Sequence, residues 1–398
     1  MLGVLRNRGK KRAHDVSQRL YDEGHQFAEQ ERWAEAERCF REAVQVADRG
    51  LGAESGSALI CRTAWASALR RLGRVDEALS ELRELTVQCP AVLGETHENT
   101  AEARIQLANM LIGRGRPAEA DALLALVLRH RPAPDEYGLE AWEARLRALA
   151  ILGRHREAVD GSWALQEQTA RIYGATALGT LKVVSERVQN LICIGEYEQA
   201  ECECRALLEV HDTPSLLWLS VMNALVLALT HLGRHDEAEA AARRALLREQ
   251  DVAQPSNDLR IALTLGLSRA LSGAGRHEEG LQAAARAEED HRNDPTPRLT
   301  LAAPVATVTA QALLGLGRND EAETRSRKAI DLAQPLGPTH HSTLEAATTL
   351  GRVLAAQHRH TEARDHLTRC TAAWREHFGP DHPRTRAAET VLAALPPA

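Results

Sequence analysis

Leu232-Gly233-Arg234-His235-Asp236-Glu237-Ala238 is the stretch that decides the fold. The phrase returns as Leu72-Gly73-Arg74-Val75-Asp76-Glu77-Ala78, as Leu152-Gly153-Arg154-His155-Arg156-Glu157-Ala158, and as Leu316-Gly317-Arg318-Asn319-Asp320-Glu321-Ala322. Looser copies run from Gly115 to Ala120, Gly195 to Ala200, Gly275 to Gly280 and His358 to Ala363. Glu31-Arg32-Trp33-Ala34-Glu35-Ala36 opens the series. The small residues that close the copies are Ala36, Ala78, Ala120, Ala158, Ala200, Ala238, Gly280, Ala322 and Ala363, spaced by 38, 41 or 42 residues. Nine occurrences at so steady a spacing are the mark of a repeat array.

Each part of the phrase has a physical reason. Glycine ends one helix, because it reaches left-handed backbone angles without a Cβ clash. The acidic residues after it fall in the first turn of the next helix, where the helix dipole favours negative charge. The small anchor follows where a neighbouring helix comes close, and a larger side chain there costs roughly 1–3 kcal/mol by overpacking. Apolar-periodic runs flank the phrase, such as Thr100 to Ile112 and Leu216 to Leu232 before it and Asp236 to Leu247 after it. Helix breakers and starts separate the units: Gly94-Glu95-Thr96-His97, Pro132-Ala133-Pro134-Asp135, Asp212-Thr213-Pro214, Pro338-Thr339 and Gly379-Pro380-Asp381-His382-Pro383. Each unit therefore reads as helix A, tight turn, helix B and a longer linker.

This pattern resembles the tetratricopeptide repeat family. Small residues at its eighth consensus place match Gly24, Ala66, Ala108, Ala310 and Gly351, and the aromatic after the turn matches Trp33 and Tyr197. The late small residue of helix B matches Ala43, Ala245, Ala287 and Ala329. The long period and the linkers around Gly94 and Gly379 look like the kinesin-light-chain-like branch with repeats of about 42 residues, of bacterial type. The resemblance implies an all-α, right-handed α-solenoid of about nine helix pairs, over residues 13–50, 55–91, 97–131, 135–173, 177–211, 214–251, 256–292, 297–335 and 340–378, with a capping helix at 383–395. Residues 1–12 read as a basic, disordered tail and 13–398 as one solenoid. Leu146, Val188, Val226 and Ser268 depart from the small eighth place, and Gly280 replaces Ala, so a looser fit between helices is expected there.

The resemblance also implies that helix A lines a concave groove. The ninth consensus place holds Asn109, Arg147, Gln189, Leu227, Arg269, Gln311 and Arg352 in the third to ninth units, and the fifth place holds Glu143 and Asn223. The candidate partner-binding residues are Asn109, Glu143, Arg147, Gln189, Asn223, Arg269, Gln311 and Arg352. Amides of this kind suit a peptide backbone and guanidinium forks suit carboxylates. The lysines of the carboxylate clamp of chaperone-binding family members are not reproduced.

Composition narrows the function further. The net charge is −6, which argues against nucleic acid as partner. No apolar stretch reaches membrane-spanning length and no secretory h-region follows the first charges, so a cytoplasmic protein is expected. The seven cysteines lack framework spacing and read as free, packed thiols, with no metal site in Cys193, Cys202 and Cys204. His155, His235, His277 and His360 all fall just after the turn, where Trp33 and Tyr197 also stand, and read as a packing slot. Gly113-Arg114-Gly115-Arg116 is a repeat turn and lacks the lysine of a phosphate loop. With no catalytic set and no cofactor implied, the expectation is a non-catalytic scaffold or adaptor for a protein or peptide. The alternatives are a bacterial regulator that senses a peptide or small effector, or an accessory protein or enzyme of a specialised pathway.

Overall fold

The computed structural model describes residues 2–131, 135–295 and 297–396. The breaker at Pro132-Ala133-Pro134 and the side chain of Arg6 in the basic run lie outside the described residues. The protein is all-α and of solenoid type, 83% helical, with no strand among the described residues. It divides into two compact units, Met1–Glu157 and Ala158–Ala398, with the division in the first turn of α8. The first holds α1 (Leu2–Glu29) and α2 (Trp33–Leu51), α3 (Gly56–Arg71) and α4 (Val75–Val92), α5 (Glu98–Gly113) and α6 (Pro117–His130), and α7 (Glu136–Ile151). The second holds most of α8 (His155–Tyr173), then α9 (Leu178–Ile194) and α10 (Tyr197–Val210), α11 (Leu216–His231) and α12 (His235–Arg248), and α13 (Asn257–Gly273) and α14 (His277–Asn293). It ends with α15 (Leu299–Gly315) and α16 (Asn319–Ala333), α17 (His341–Ala356) and α18 (His360–Phe378), and the single α19 (Pro383–Ala393). No described helix is long and apolar enough to cross a membrane.

The repeated phrase builds the turn as its chemistry requires. Gly233 has φ +74°, Arg234 N–H bonds Leu229 O at 2.9 Å, and Gly233 N–H bonds Thr230 O at 3.2 Å, which satisfies the orphan carbonyls of α11. The two copies without glycine force Glu31 (φ +58°) and His358 (φ +60°) into the same left-handed place. The eight anchor alanines are at most 1% exposed, and Gly280 is buried with them. The arginine after the turn ties successive repeats. Arg74 pairs with Glu77 in its own helix (2.6 Å) and with Glu37 one unit earlier (3.0 Å); Arg234 does the same with Glu237 (2.7 Å) and Glu201 (2.6 Å). Exposed pairs add little stability, so the ladder serves register more than strength. The linker histidines are caps: Nδ1 of His97, His340 and His382 accepts the N–H of Asn99, Ser342 and Arg384 at 3.1–3.2 Å.

Each unit has its own core. In the first, Leu59, Leu69, Leu82 and Leu85 pack with Ile105, Leu124 and Ala148. In the second, α9, α11 and α12 bury Val188, Leu191, Trp218, Met222, Leu229 and Ala242 together.

Three expectations need correction. Residues 2–12 are helical, not a disordered tail: the run from Leu2 to Glu29 holds no proline to break it, and α1 packs so closely at Ala13 that a Cβ on Gly50 would meet it at 2.2 Å. The fit at the altered eighth places is tight, not loose. Val188, Val226 and Ser268 are fully buried, Gly266 leaves the space that Val226 fills, and Ser268 Oγ–H donates to Gly280 O at 2.6 Å. Cys202 is exposed rather than packed, because Cys204, two residues on, takes the inward face of α10.

Candidate functional site

The polar places of helix A fall into two groups, one per unit. In the first unit Arg147 Nη2 donates to Asn109 Oδ1 at 3.1 Å, so two of the three candidates there satisfy each other. Glu143 is half-buried beside Glu140, whose carboxyl is raised by burial first and then by the Glu143 charge. Glu102 is raised in the same way, chiefly by burial.

The second unit gathers its candidates around two adjoining cavities. The first, of about 420 Å³, is lined by Gln189, Asn223 and Arg269, with Leu227, Leu265, Pro304 and Trp374 as its apolar surface. The second, of about 470 Å³, is lined by Arg269, Gln311 and Arg352 with His231 and Val308. Arg269 and Glu345 line both. Larger clefts, near Arg205–Arg244 (about 600 Å³) and Gly317–Arg359 (about 870 Å³), lie over helix B and the turns. Arginines in both are already paired, Arg205 with Glu237 at 3.0 Å and Arg359 with Glu323 at 2.8 Å.

Glu345 is the hub between the two cavities. It accepts from Arg269 Nη2 at 3.1 Å, from Gln311 Nε2 at 3.4 Å and from Arg384 Nη1 at 3.4 Å. Burial alone would raise its carboxyl, but the guanidiniums of Arg269 and Arg384 outweigh burial and hold it far below the usual carboxylate range. Arg384 Nη2 also donates to His231 Nε2 at 3.1 Å, and His231 stacks on Tyr197 with ring centres 4.5 Å apart. Burial, then Arg384, pushes His231 down to about 3; burial likewise pushes His382 down to about 4, against the Cys193 carbonyl that its Nε2 meets at 3.1 Å. With both rings neutral, two guanidiniums face one carboxylate, so the cluster is net cationic.

Asn223 is 9% exposed, and its Oδ1 has no hydrogen-bond partner among the described residues. A buried carbonyl of that kind ordinarily finds one, so its loneliness at a cavity wall points to an occupant. Gln189 donates to Ser220 O at 3.3 Å, which leaves its own carbonyl open to the cavity it lines. Arg352 is exposed.

Sequence reasoning missed His231, Glu345, Trp374, His382 and Arg384. His382 belongs to the linker and Arg384 to the segment read only as a cap, and their partners Cys193 and His231 lie 189 and 153 residues earlier. The histidine slot after the turn behaves as expected in two copies: His235 rests on Gly273 and His277 on Gly315, where an added Cβ would come within 2.3 Å of the ring.

The tetratricopeptide repeat sequence pattern matches residues 59–133 and 305–376, and a second pattern of the same name matches residues 218–249. The chain is a tetratricopeptide repeat protein. Among solved structures, the apo form of the quorum sensor NprR from B. thuringiensis is 11% identical, with a TM-score of 0.66 over 89% of this tetratricopeptide chain and 98% of that one. A Rap protein complexed with Competence and Sporulation Factor is 10% identical, with a TM-score of 0.54 over 84% of this chain and 98% of its own. The repeats of a Podosopora anserina putative kinesin light chain are 18% identical, with a TM-score of 0.44 over 50% of this chain and 95% of theirs. No curated protein matches in sequence.

Proposed function

We propose that this protein is a non-catalytic receptor or adaptor whose second unit binds a short peptide segment, bearing an anionic group, in the cavities around Arg269 and Glu345. The observation that carries this reading is the unpartnered, buried Asn223 Oδ1 on a cavity wall, one repeat from Gln189 on the neighbouring helix A. Two amides so placed suit successive backbone groups of an extended chain. Leu227, Leu265, Pro304 and Trp374 offer an apolar wall for a side chain, and the cationic surplus favours a carboxylate. Cavities of about 420 and 470 Å³ fall in the range of small-ligand sites. The same reading keeps the protein in the cytoplasm, on the strength of seven free cysteines. It gives Asn109, Glu143 and Arg147 a lesser part, since Asn109 and Arg147 already bond each other.

A regulatory role, in which the ligand is a signal, is the second reading. It is favoured by the closure of the second unit through α19 and by a fold shared with a quorum sensor.

The test uses a randomised hexapeptide pool in two forms, with free and with amidated C-termini, captured on the immobilised full chain and read by mass spectrometry. The wild type enriches a subset of the pool, preferring free C-termini or acidic side chains. Asn223→Leu keeps the branched outline, removes an unsatisfied acceptor worth about 1–3 kcal/mol of stability, and loses the enrichment. Equal enrichment by wild type and Asn223→Leu, or none by either, refutes the assignment.

A further inference from the structure

The last helix is held by two kinds of contact at its two ends. Its distal part is seated by apolar packing: Ala388 lies against Leu344 and Trp374, and Val391, Leu392 and Leu395 against Leu350, Leu354 and Leu367. That is how a repeat array closes its exposed end. Its first turn meets a distant part of the same unit through polar groups and a glycine. His382 Nε2–H donates to Cys193 O at the end of α9 (3.1 Å), and Arg384 donates to His231 at the end of α11 (3.1 Å). Pro383 presses on Gly195 so closely that a Cβ there would lie 2.4 Å from its Cδ.

We propose that the first turn of α19 is a reversible polar lock, which completes the wall of the cavity around Arg269 and opens without unseating α19 from α17 and α18. His382, Trp374 and Arg384 line that cavity together with Cys193, so its closed form exists only while the lock is engaged. Hydrogen bonds exchanged with water contribute modestly, whereas the leucine seat buries several apolar side chains. Under strain the polar end therefore gives first.

The hydrogen bonds fix the protons of the lock. His382 Nδ1 accepts from Arg384 N–H at 3.2 Å, so its single proton is on Nε2, facing Cys193 O. His231 Nε2 accepts from Arg384, so its proton is on Nδ1. A second proton on either ring removes an acceptor and sets a cation beside Arg384. The charged and titratable groups around the pair are Cys193 from α9, Tyr197 from α10, Arg269 from α13, His277 from α14, His340 at the cap of α17, His341, Glu345 and Arg352 from α17, and Arg384 from α19. Acid therefore opens the lock. The lock needs no ligand to operate, so its failure leaves the peptide reading standing, and the reverse also holds.

Hydrogen exchange with mass spectrometry on the full chain tests it. Arg384→Met removes the fork and keeps the bulk. Exchange in residues 190–197 and 228–233 then rises about tenfold or more, the worth of a lost charge-assisted hydrogen bond, while residues 345–356 and 363–378 keep their protection. No change at 190–197 and 228–233, or a parallel rise at α17 and α18, overturns the lock. A second arm takes the wild type from pH 7.5 to 5.0, corrected for intrinsic exchange. The same two segments open by up to about 30-fold per histidine, and a flat profile overturns the proposal whether or not the variant folds.

Discussion

Replacing Gly195 by alanine, alongside Gly233→Ala as its matched control, separates the turn from what rests on it. Both glycines end a helix A in the left-handed region, Gly195 at φ +83° and Gly233 at φ +74°. An alanine costs roughly 1–2 kcal/mol at either place for the backbone alone. At Gly233 an added Cβ meets nothing within 4 Å. At Gly195 it would meet Pro383 Cδ at 2.4 Å, Pro383 Cγ at 3.0 Å and His382 Cδ2 at 3.2 Å. A rigid proline ring must then retreat by about 1 Å to restore ordinary contact, which carries the 3.1 Å bond from His382 to Cys193 O out of range. Overpacking of this kind adds about 1–3 kcal/mol. Urea unfolding followed by circular dichroism, with hydrogen exchange over residues 382–386, measures both parts. Gly195→Ala falls below Gly233→Ala by at least about 1 kcal/mol and loses protection in the first turn of α19. Equal unfolding energies with protection of 382–386 unchanged would refute the reasoning that α19 rests on this turn.

Further predictions concern pH and the histidine slot. His231 and His382 are held at about 3 and 4, below the ordinary 6.5, so the folded state binds fewer protons than the unfolded one. Their stabilisation is complete above about pH 6.5 and is lost on acidification, by about 2 kcal/mol each at pH 5. Burial of His25 and His366 adds in the same direction, and burial of Glu102, Glu140 and Glu249, whose carboxyls are raised, works against it. Urea midpoints at pH 7.5 and 5.0 show this drop in the wild type and a smaller one in His382→Gln; equal drops contradict it. Glu345, held low by Arg269 and Arg384, loses its contribution only below the usual carboxylate range, so it leaves the pH 5–7 window unchanged. Gly315→Ala drives a Cβ to within 2.3 Å of the His277 ring and destabilises by about 1–3 kcal/mol. Adding His277→Ala recovers part of that loss, and a double variant no more stable than Gly315→Ala alone contradicts the slot.

The fold was legible because its determinants are local and repeated. A left-handed glycine, an acidic first turn and a small anchor are each read within seven residues, and the anchors all proved buried. The resemblance also singled out Gln189, Asn223, Arg269, Gln311 and Arg352, which line two adjoining cavities because the fifth and ninth places on successive A helices face one side of their unit. What local pattern could not give is the meeting of Arg384 with His231 and of His382 with Cys193. That depends on the small rotation added by each repeat, summed over five pairs, and no single phrase encodes the sum. Compensation was hidden for a similar reason. Ser268 and Gly280 look like two separate departures from the repeat, but they meet: Ser268 Oγ–H donates to Gly280 O, and a methyl on Gly280 would lie 3.0 Å from Ser268 O and 2.3 Å from Ser272 Oγ. The start of α1 was misread because charge was weighed and helix propensity was not: a basic run solvates as well on a helix as in a coil.

The proposed place of the ligand is the pair of cavities in the second unit. Photo-cross-linking tests it most directly, with the enriched members of the hexapeptide pool resynthesised to carry a benzophenone at one internal residue and the adducts mapped by mass spectrometry. Adducts are expected on α9, α11, α13 and the first turn of α19, and their loss in Asn223→Leu. Adducts confined to helix B surfaces or to the first unit would contradict it.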